Sequence, residues 1–138
     1  MQDCTMCTKW NDDVDLRVAE LEHCYVMLNQ DQFFPGYCYV FTKDHVVELF
    51  HLDRITRVAV MEEVNAVAAA LSDLLHPAKI NYELLGNKTP HMHWHVVPRF
   101  VEDALWPRPI WSEPHEKVTL TPEDYAELTG QIRKRLGL

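Results

Sequence analysis

No stretch of the 138-residue chain approaches the ~20 apolar residues that a membrane span needs. Met1-Gln2-Asp3-Cys4 at the start shows neither the charged nor the apolar region of a secretory leader. A cytoplasmic address and no membrane partner are the expectations. Positive charge is scarce: 13 Lys and Arg stand against 21 Asp and Glu, for a formal net charge of -8, and the basic residues are scattered rather than massed. That field argues against a long nucleic acid as partner, because a polyanion needs a basic surface to displace its counterions. A small nucleotide stays open, since one pocket with a few aimed donors can overcome an unfavourable overall field. Cysteine is sparse too, and Cys4, Cys7, Cys24 and Cys38 in a reducing compartment read as thiols or metal ligands rather than disulfides. No repeat or low-complexity segment interrupts the chain. What remains is ordinary globular material, 47% hydrophobic and 25% charged. It suits a single domain over residues 1–138, long enough to bury roughly two-thirds of its unfolded surface.

The segment from Leu16 to Leu28 alternates imperfectly, and Tyr25-Val26-Met27-Leu28 has the β-branched and aromatic character of a strand. Asn29 to Gln32 breaks it, Pro35-Gly36 signals a turn, and Tyr37 to Phe41 resumes as a neighbouring antiparallel strand. From about Leu52 the apolar period becomes helical, through Ile55, Val58, Ala59, Met61, Val64, Val67, Ala68, Leu71, Leu74 and Leu75. Asp53 is the candidate N-cap of this long helix, and Pro77 marks its limit. Lys79 to Leu85 reads as a short strand, Gly86 to Pro90 as a loop, and His91 to Phe100 as another strand. A last helix starts near Pro122, capped by Thr121, with Glu123 and Asp124 complementing its dipole.

The informative stretch is His91-Met92-His93-Trp94-His95-Val96-Val97-Pro98-Arg99. In a strand, alternate side chains share a face, which puts the three histidines on a solvent-facing side and Met92, Trp94 and Val96 in the core. The apolar half fixes the register, since a slip of one residue would bury the imidazoles and expose Trp94. Three uses compete for such a face. A merely solvated polar face is one. A zinc shared by all three is disfavoured, because the outer pair lie about 13 Å apart at ~3.3 Å per residue, whereas zinc ligand atoms sit at ~2 Å from the metal. The third is catalysis, in which one imidazole attacks and a neighbour handles a proton or a phosphate oxygen. Neutral imidazole suits this as a nucleophile near pH 7 and as a good leaving group once phosphorylated.

The run of His, apolar, His, apolar, His, apolar, apolar resembles the signature of the histidine triad (HIT) family of nucleotide hydrolases and transferases. Asn29, Phe34-Pro35-Gly36, Tyr37 to Phe41, Lys43-Asp44-His45, Asn81, Gly86-Asn87 and Pro98-Arg99 resemble the family's landmarks in order. The segment from Asp103 to Trp111 is similar to the tail of bacterial members described as diadenosine polyphosphate hydrolases. The resemblance implies an α+β fold: an antiparallel sheet of about five strands, one long helix packed on it, a C-terminal helix, and pairing as a homodimer. It implies that His93 attacks the α-phosphorus, that His95 binds a phosphate oxygen and assists proton movement, and that His91 supports the array. Asn87 and Asn81 would donate to phosphate or leaving group, and Asn29 would hold the ribose hydroxyls. One departure stands out, because many relatives have a histidine directly after the Pro-Gly turn and this chain has Tyr37.

Cys4-Thr5-Met6-Cys7 is by itself compatible with a redox pair, two ordinary thiols or half of a zinc site. Superfamily members with such a pair complete a structural zinc site with two histidines that correspond here to His45 and His91, with His51 as the alternative to His45. Zinc on His91 would lock the strand that presents His93. Cys24 and Cys38 are expected as buried thiols and His23, His76 and His115 as surface residues without partners; Phe33 and Phe34 either line a base pocket or sit at a turn, the turn being the expectation for Phe33.

Overall fold

Residues 4–138 are described in the computed structural model; Met1 to Asp3, part of the stretch read for a leader, lie outside them. Five antiparallel strands form one sheet in the order β1-β2-β3-β5-β4: β1 Arg17–Glu20, β2 Cys24–Leu28, β3 Cys38–Thr42, β4 Lys79–Leu84 and β5 His93–Arg99. Three helices, α1 Thr5–Asp12, α2 Arg54–Leu75 and α3 Pro122–Arg135, complete the α+β architecture. No helix among the described residues is long and apolar enough to cross a membrane.

The helix ends follow their local chemistry. The Asp53 carboxylate accepts from the Thr56 amide at 2.8 Å, and the Thr121 hydroxyl from the Asp124 amide at 3.1 Å, each satisfying a donor that the first helical turn leaves free. α2 ends in a left-handed residue, His76, directly before Pro77. Two expectations need correcting. The Leu16–Leu28 segment is not one imperfect strand but two, β1 and β2, folded back on each other through Leu21 to His23, with a register shift in β1 that accounts for the broken alternation. The histidine strand, β5, begins at His93 rather than His91. α1 was not anticipated, because its apolar positions Met6 and Trp10 are too few in eight mostly polar residues for a helical period to stand out.

Register places Cys24, Val26, Leu28, Cys38, Val40, Trp94 and Val96 on one face of the sheet, where α2 covers them with Val60, Val64, Val67, Ala68 and Leu71. Pairing of Trp94 with Val40 and of His95 with Tyr39 fixes the frame of β5, with Trp94 buried under α2. Cys24 and Cys38 are fully buried thiols, and burial pushes the Cys38 thiol up to about 12. The opposite face carries Tyr25, Met27, Tyr39, Phe41, His93 and His95. It does not lie open to solvent. α1 crosses one end of it, with Trp10 stacked on Tyr25 at 4.4 Å, and the segment after β5 covers the other with Leu105 and Ile110 around Phe34, Tyr37 and Val97. Every residue of β5 is therefore buried, because both faces of its central part are covered.

Candidate active site

The three histidines are held one by one. His91, just before β5, donates its Nε2–H to the Thr42 carbonyl at 2.7 Å. His93 donates its Nδ1–H to the His91 carbonyl at 2.6 Å. A carbonyl can only accept, so each bond fixes a tautomer. In the neutral ring the lone pair then lies on Nδ1 of His91 and on Nε2 of His93, the latter being the form a nucleophile needs. His95 is pinned differently, with its Nδ1 2.6 Å from the Tyr37 hydroxyl. Burial, with His93 beside it, pushes His95 down to about 4, so it is neutral at physiological pH. Burial and the neighbouring Tyr39 push the Tyr37 phenol upward, so it is neutral as well.

The expectation of a solvent-facing triad is corrected here: His91, His93 and His95 are 1%, 7% and 6% exposed. The latter two form the floor of a cleft with two lobes that share Lys9, Asp13, Tyr39 and Trp111. One lobe, about 710 Å³, contains His93 and His95 and is rimmed by Gly86, Asn87, Lys88 and Thr89. The other, about 640 Å³, is lined by Asn29, Asp31, Phe34, Tyr37 and Ile110, with His115 and Lys117. His115, expected as an unpartnered surface residue, stacks on Phe33 at 3.9 Å, and its Nδ1 is 3.8 Å from the Asp31 carboxylate. Phe33 is thus more than a turn residue. The strap carrying His115 is tied down from both sides, since Val118 donates to the Asp31 carboxylate at 2.9 Å and Gln32 donates to the Val118 carbonyl at 2.8 Å.

The cysteine pair lies at the far end of the histidine row. Cys4 Sγ is 3.4 Å from His91 Nδ1, and Cys7 Sγ is 3.5 Å from the same atom and 3.3 Å from His45 Nδ1. The four ligand atoms fall within 4.8 Å of one another. A tetrahedral ion ~2.3 Å from sulfur and ~2.0 Å from nitrogen sets sulfur–nitrogen separations of roughly 3.5 Å, so the donor set fits a zinc ion. The Thr42 carbonyl behind His91 is the kind of outer partner that orients an imidazole ligand. His51 is elsewhere, its Nδ1 accepting from the Glu48 amide at 3.3 Å.

Of the three asparagines, Asn29 lines one lobe and Asn87 the rim of the other. Asn81 is not brought to either. It shares the sheet face of Val97, but its Oδ1 accepts from Arg99 Nη1 at 2.9 Å, part of a buried clamp completed by Asp103. Lys9, Tyr37, Tyr39, Trp111 and His115 are the cleft residues that sequence reasoning missed as site components. Tyr39 was within reach, because pairing β3 with the histidine strand puts it beside His95. Lys9 followed from the cysteines, since a pair docked on His91 carries the next turn of α1 to the cleft. Nothing local marked Trp111 and His115, whose positions depend on the path of a long segment without regular structure.

A family model described as the HIT domain matches residues 13–102. A protein of Bacillus subtilis (strain 168) called "Protein hit" is 24% identical over 142 residues, covering 99% of this chain and 96% of its own length. Among solved structures, a histidine triad protein from Sinorhizobium meliloti 1021 superposes with a TM-score of 0.83 at 25% identity, covering 98% of both chains. A zinc-bound histidine triad family protein from Mycobacterium smegmatis superposes with a TM-score of 0.69 at 26% identity, covering 99% of this chain and 94% of that one.

Proposed function

This chain belongs to the HIT domain family, and from that premise we propose that it is a nucleotide hydrolase that cleaves a dinucleoside polyphosphate, diadenosine tetraphosphate being the first substrate to try. The observation that carries the reading is the carbonyl that holds His93 Nδ1–H, which puts the lone pair of the neutral ring on Nε2 at the floor of a cleft with room for a nucleotide. The Nε2 lone pair forms a bond to the α-phosphorus while the bond to the leaving oxygen breaks and its electron pair departs with the polyphosphate. Water then attacks the nucleotidyl-histidine, loses a proton, and returns the nitrogen's electron pair. Lys88 supplies positive charge at the rim of the phosphate lobe, Lys9 stands there paired with Asp13 at 2.8 Å, and His95 and Asn87 supply hydrogen bonds as charge grows on oxygen. Asn29 and Asp31, with aromatic walls, suit the ribose and base in the other lobe.

We propose further that Cys4, Cys7, His45 and His91 hold a structural zinc. Four protein ligands leave no open position for activating water, so the metal would brace α1 and His91 rather than take part in the transfer. A cytoplasmic homodimer is part of the same reading, its pairing supported by the exposed apolar residues Phe50, just before α2, and Ile55, Val58 and Met61 in its first turns.

The test is a panel of nucleotide substrates with product identification, run on the wild type and on His93→Ala. Loss of turnover by several orders of magnitude with nucleotide binding retained is expected of the variant. A variant with near wild-type turnover would overturn the assignment of the nucleophile.

A further inference from the structure

We propose that Tyr37 is a positioning residue that donates its hydroxyl proton to His95 Nδ1, fixing His95 as a neutral Nε2–H donor, and that this setting favours leaving groups that depart as anions over amines. The proposal rests on the nucleotidyl-transfer reading above.

Three imidazoles stand in a row, and each is pinned through one nitrogen. For His91 and His93 the pin is a carbonyl, so the ring must supply the proton. For His95 it is a hydroxyl, which can give its own proton away. Tyr37 is 5% exposed, and its hydroxyl makes a 2.6 Å contact with His95 Nδ1, with the Asn29 and Tyr39 side chains also beside it. If that nitrogen carried the proton, the phenolic proton would be left buried without this partner, at the cost of an unmade hydrogen bond. Donation by Tyr37 satisfies both groups and leaves the His95 proton on Nε2. His93 and His95 then present opposite functions two residues apart, a lone pair on one and an N–H on the other.

The placement of Tyr37 is structural rather than accidental. Gly36 takes φ +88°, and Tyr37 follows it directly before β3, in which Tyr39 is the register partner of His95. Of the ionisable groups around His95, Lys9 lines the same lobe but is paired with Asp13 at 2.8 Å, and Lys88 stands on the rim. Glu83, opposite His95 on β4, accepts from Trp111 Nε1 at 2.8 Å, and burial pushes Tyr39 upward as it does Tyr37.

Proton accounting gives the selectivity. When His93 Nε2 bonds to phosphorus and the leaving group is a phosphate or carboxylate, the electron pair of the broken bond settles on an oxygen that needs no proton. His95 then only has to hold its Nε2–H against the developing charge. When the leaving group is an amine, the pair of the broken phosphorus–nitrogen bond has to be protonated. His95 could give up its Nε2 proton only if the Tyr37 proton passed to Nδ1, leaving a tyrosinate in a site that disfavours one.

The experiment compares kcat/KM for diadenosine tetraphosphate and for an adenosine phosphoramidate in the wild type, Tyr37→Phe and Tyr37→His, together with histidine nitrogen NMR of the full chain. Wild type should favour the anhydride and show His95 protonated on Nε2. Tyr37→Phe should lower the anhydride-to-amidate ratio by roughly tenfold, through kcat rather than KM, as one positioned hydrogen bond is lost. Tyr37→His should shift the ratio the same way by adding an imidazole that can carry a proton, and it serves as the second variant if Tyr37→Phe folds poorly. An Nδ1-protonated His95 in the wild type, or an unchanged ratio in both variants, would overturn the proposal. If the wild type turned over neither substrate, the functional reading would fail instead, and the NMR tautomer alone would decide the role of Tyr37.

Discussion

Replacing Asp103 by alanine would leave a guanidinium buried without its counter-charge. Arg99 is 1% exposed, and its Nε and Nη2 donate to the two Asp103 oxygens at 2.8 and 3.1 Å. Asn81 takes Nη1 at 2.9 Å, and the guanidinium lies 5.0 Å from the Phe34 ring centroid. Asp103 also accepts from the Phe100 and Leu105 amides at 3.3 and 3.1 Å, so the pair ties β5 to the strap that delivers Trp111. Removing one partner of a buried pair costs ~3–5 kcal/mol, because the remaining charge stays desolvated. For a domain of this size the unfolding entropy is roughly 0.3 kcal/mol/K, which turns the loss into a Tm decrease of about 10–17 °C. The double variant Arg99→Met with Asp103→Leu removes both charges and should melt well above Asp103→Ala. Acid sharpens the contrast. Burial opposes the Asp103 charge, but the Arg99 guanidinium and the two amides outweigh it and hold the carboxyl below the usual range. Its stabilisation is therefore complete above the unfolded carboxyl value and is lost as pH falls through the lower folded value. Thermal melts between neutral and acidic pH read both effects. An Asp103→Ala variant that melts within about 3 °C of wild type at neutral pH, or a double variant no better than the single, would refute the reasoning.

Trp94→Ala should cost ~3–5 kcal/mol by opening a cavity under α2, with activity lost only as the protein unfolds; chemical denaturation measures it. Gly36→Ala should destabilise by roughly 1–3 kcal/mol, because φ is +88° and the added Cβ would sit 2.5 Å from Leu75 Cδ1; the check is the same unfolding curve. Purified protein should contain about one zinc per chain, and chelation should lower the melting temperature before it lowers turnover. Elemental analysis of Cys4→Ser with Cys7→Ser should find the metal gone, and full metal content in that variant would exclude the site.

The order of elements, the frame of β5, the capped starts of α2 and α3 and the gathering of Cys4, Cys7, His45 and His91 were legible because each follows from local periodicity, a capping side chain or a landmark in sequence. What failed did so where a second layer intervened. The alternation of His93 and His95 with Trp94 says which residues share a face, but it cannot say that α1 and the Leu105–Ile110 segment cover that face too. Asn81 sits on the correct face of the sheet and still misses the cleft, since only the tertiary fold brings Arg99 and Asp103 around it. His115 lies 20 residues beyond His95 on a segment with no periodicity to read, so its stacking on Phe33 left no trace in the local sequence.

The two lobes of the cleft are built from material of different tolerance. His93 belongs to a strand hydrogen-bonded on both edges and packed on both faces, where almost any change of neighbour disturbs the proposed nucleophile. The wall at His115 and Lys117, which we assign to the nucleoside, belongs to an irregular strap fastened by a few hydrogen bonds to Gln30, Asp31 and Gln32. Substitutions or insertions there can reshape which base or ribose is accepted while the attacking nitrogen keeps its place. A laboratory search for altered nucleotide preference would do best to randomise that strap and leave β5 untouched.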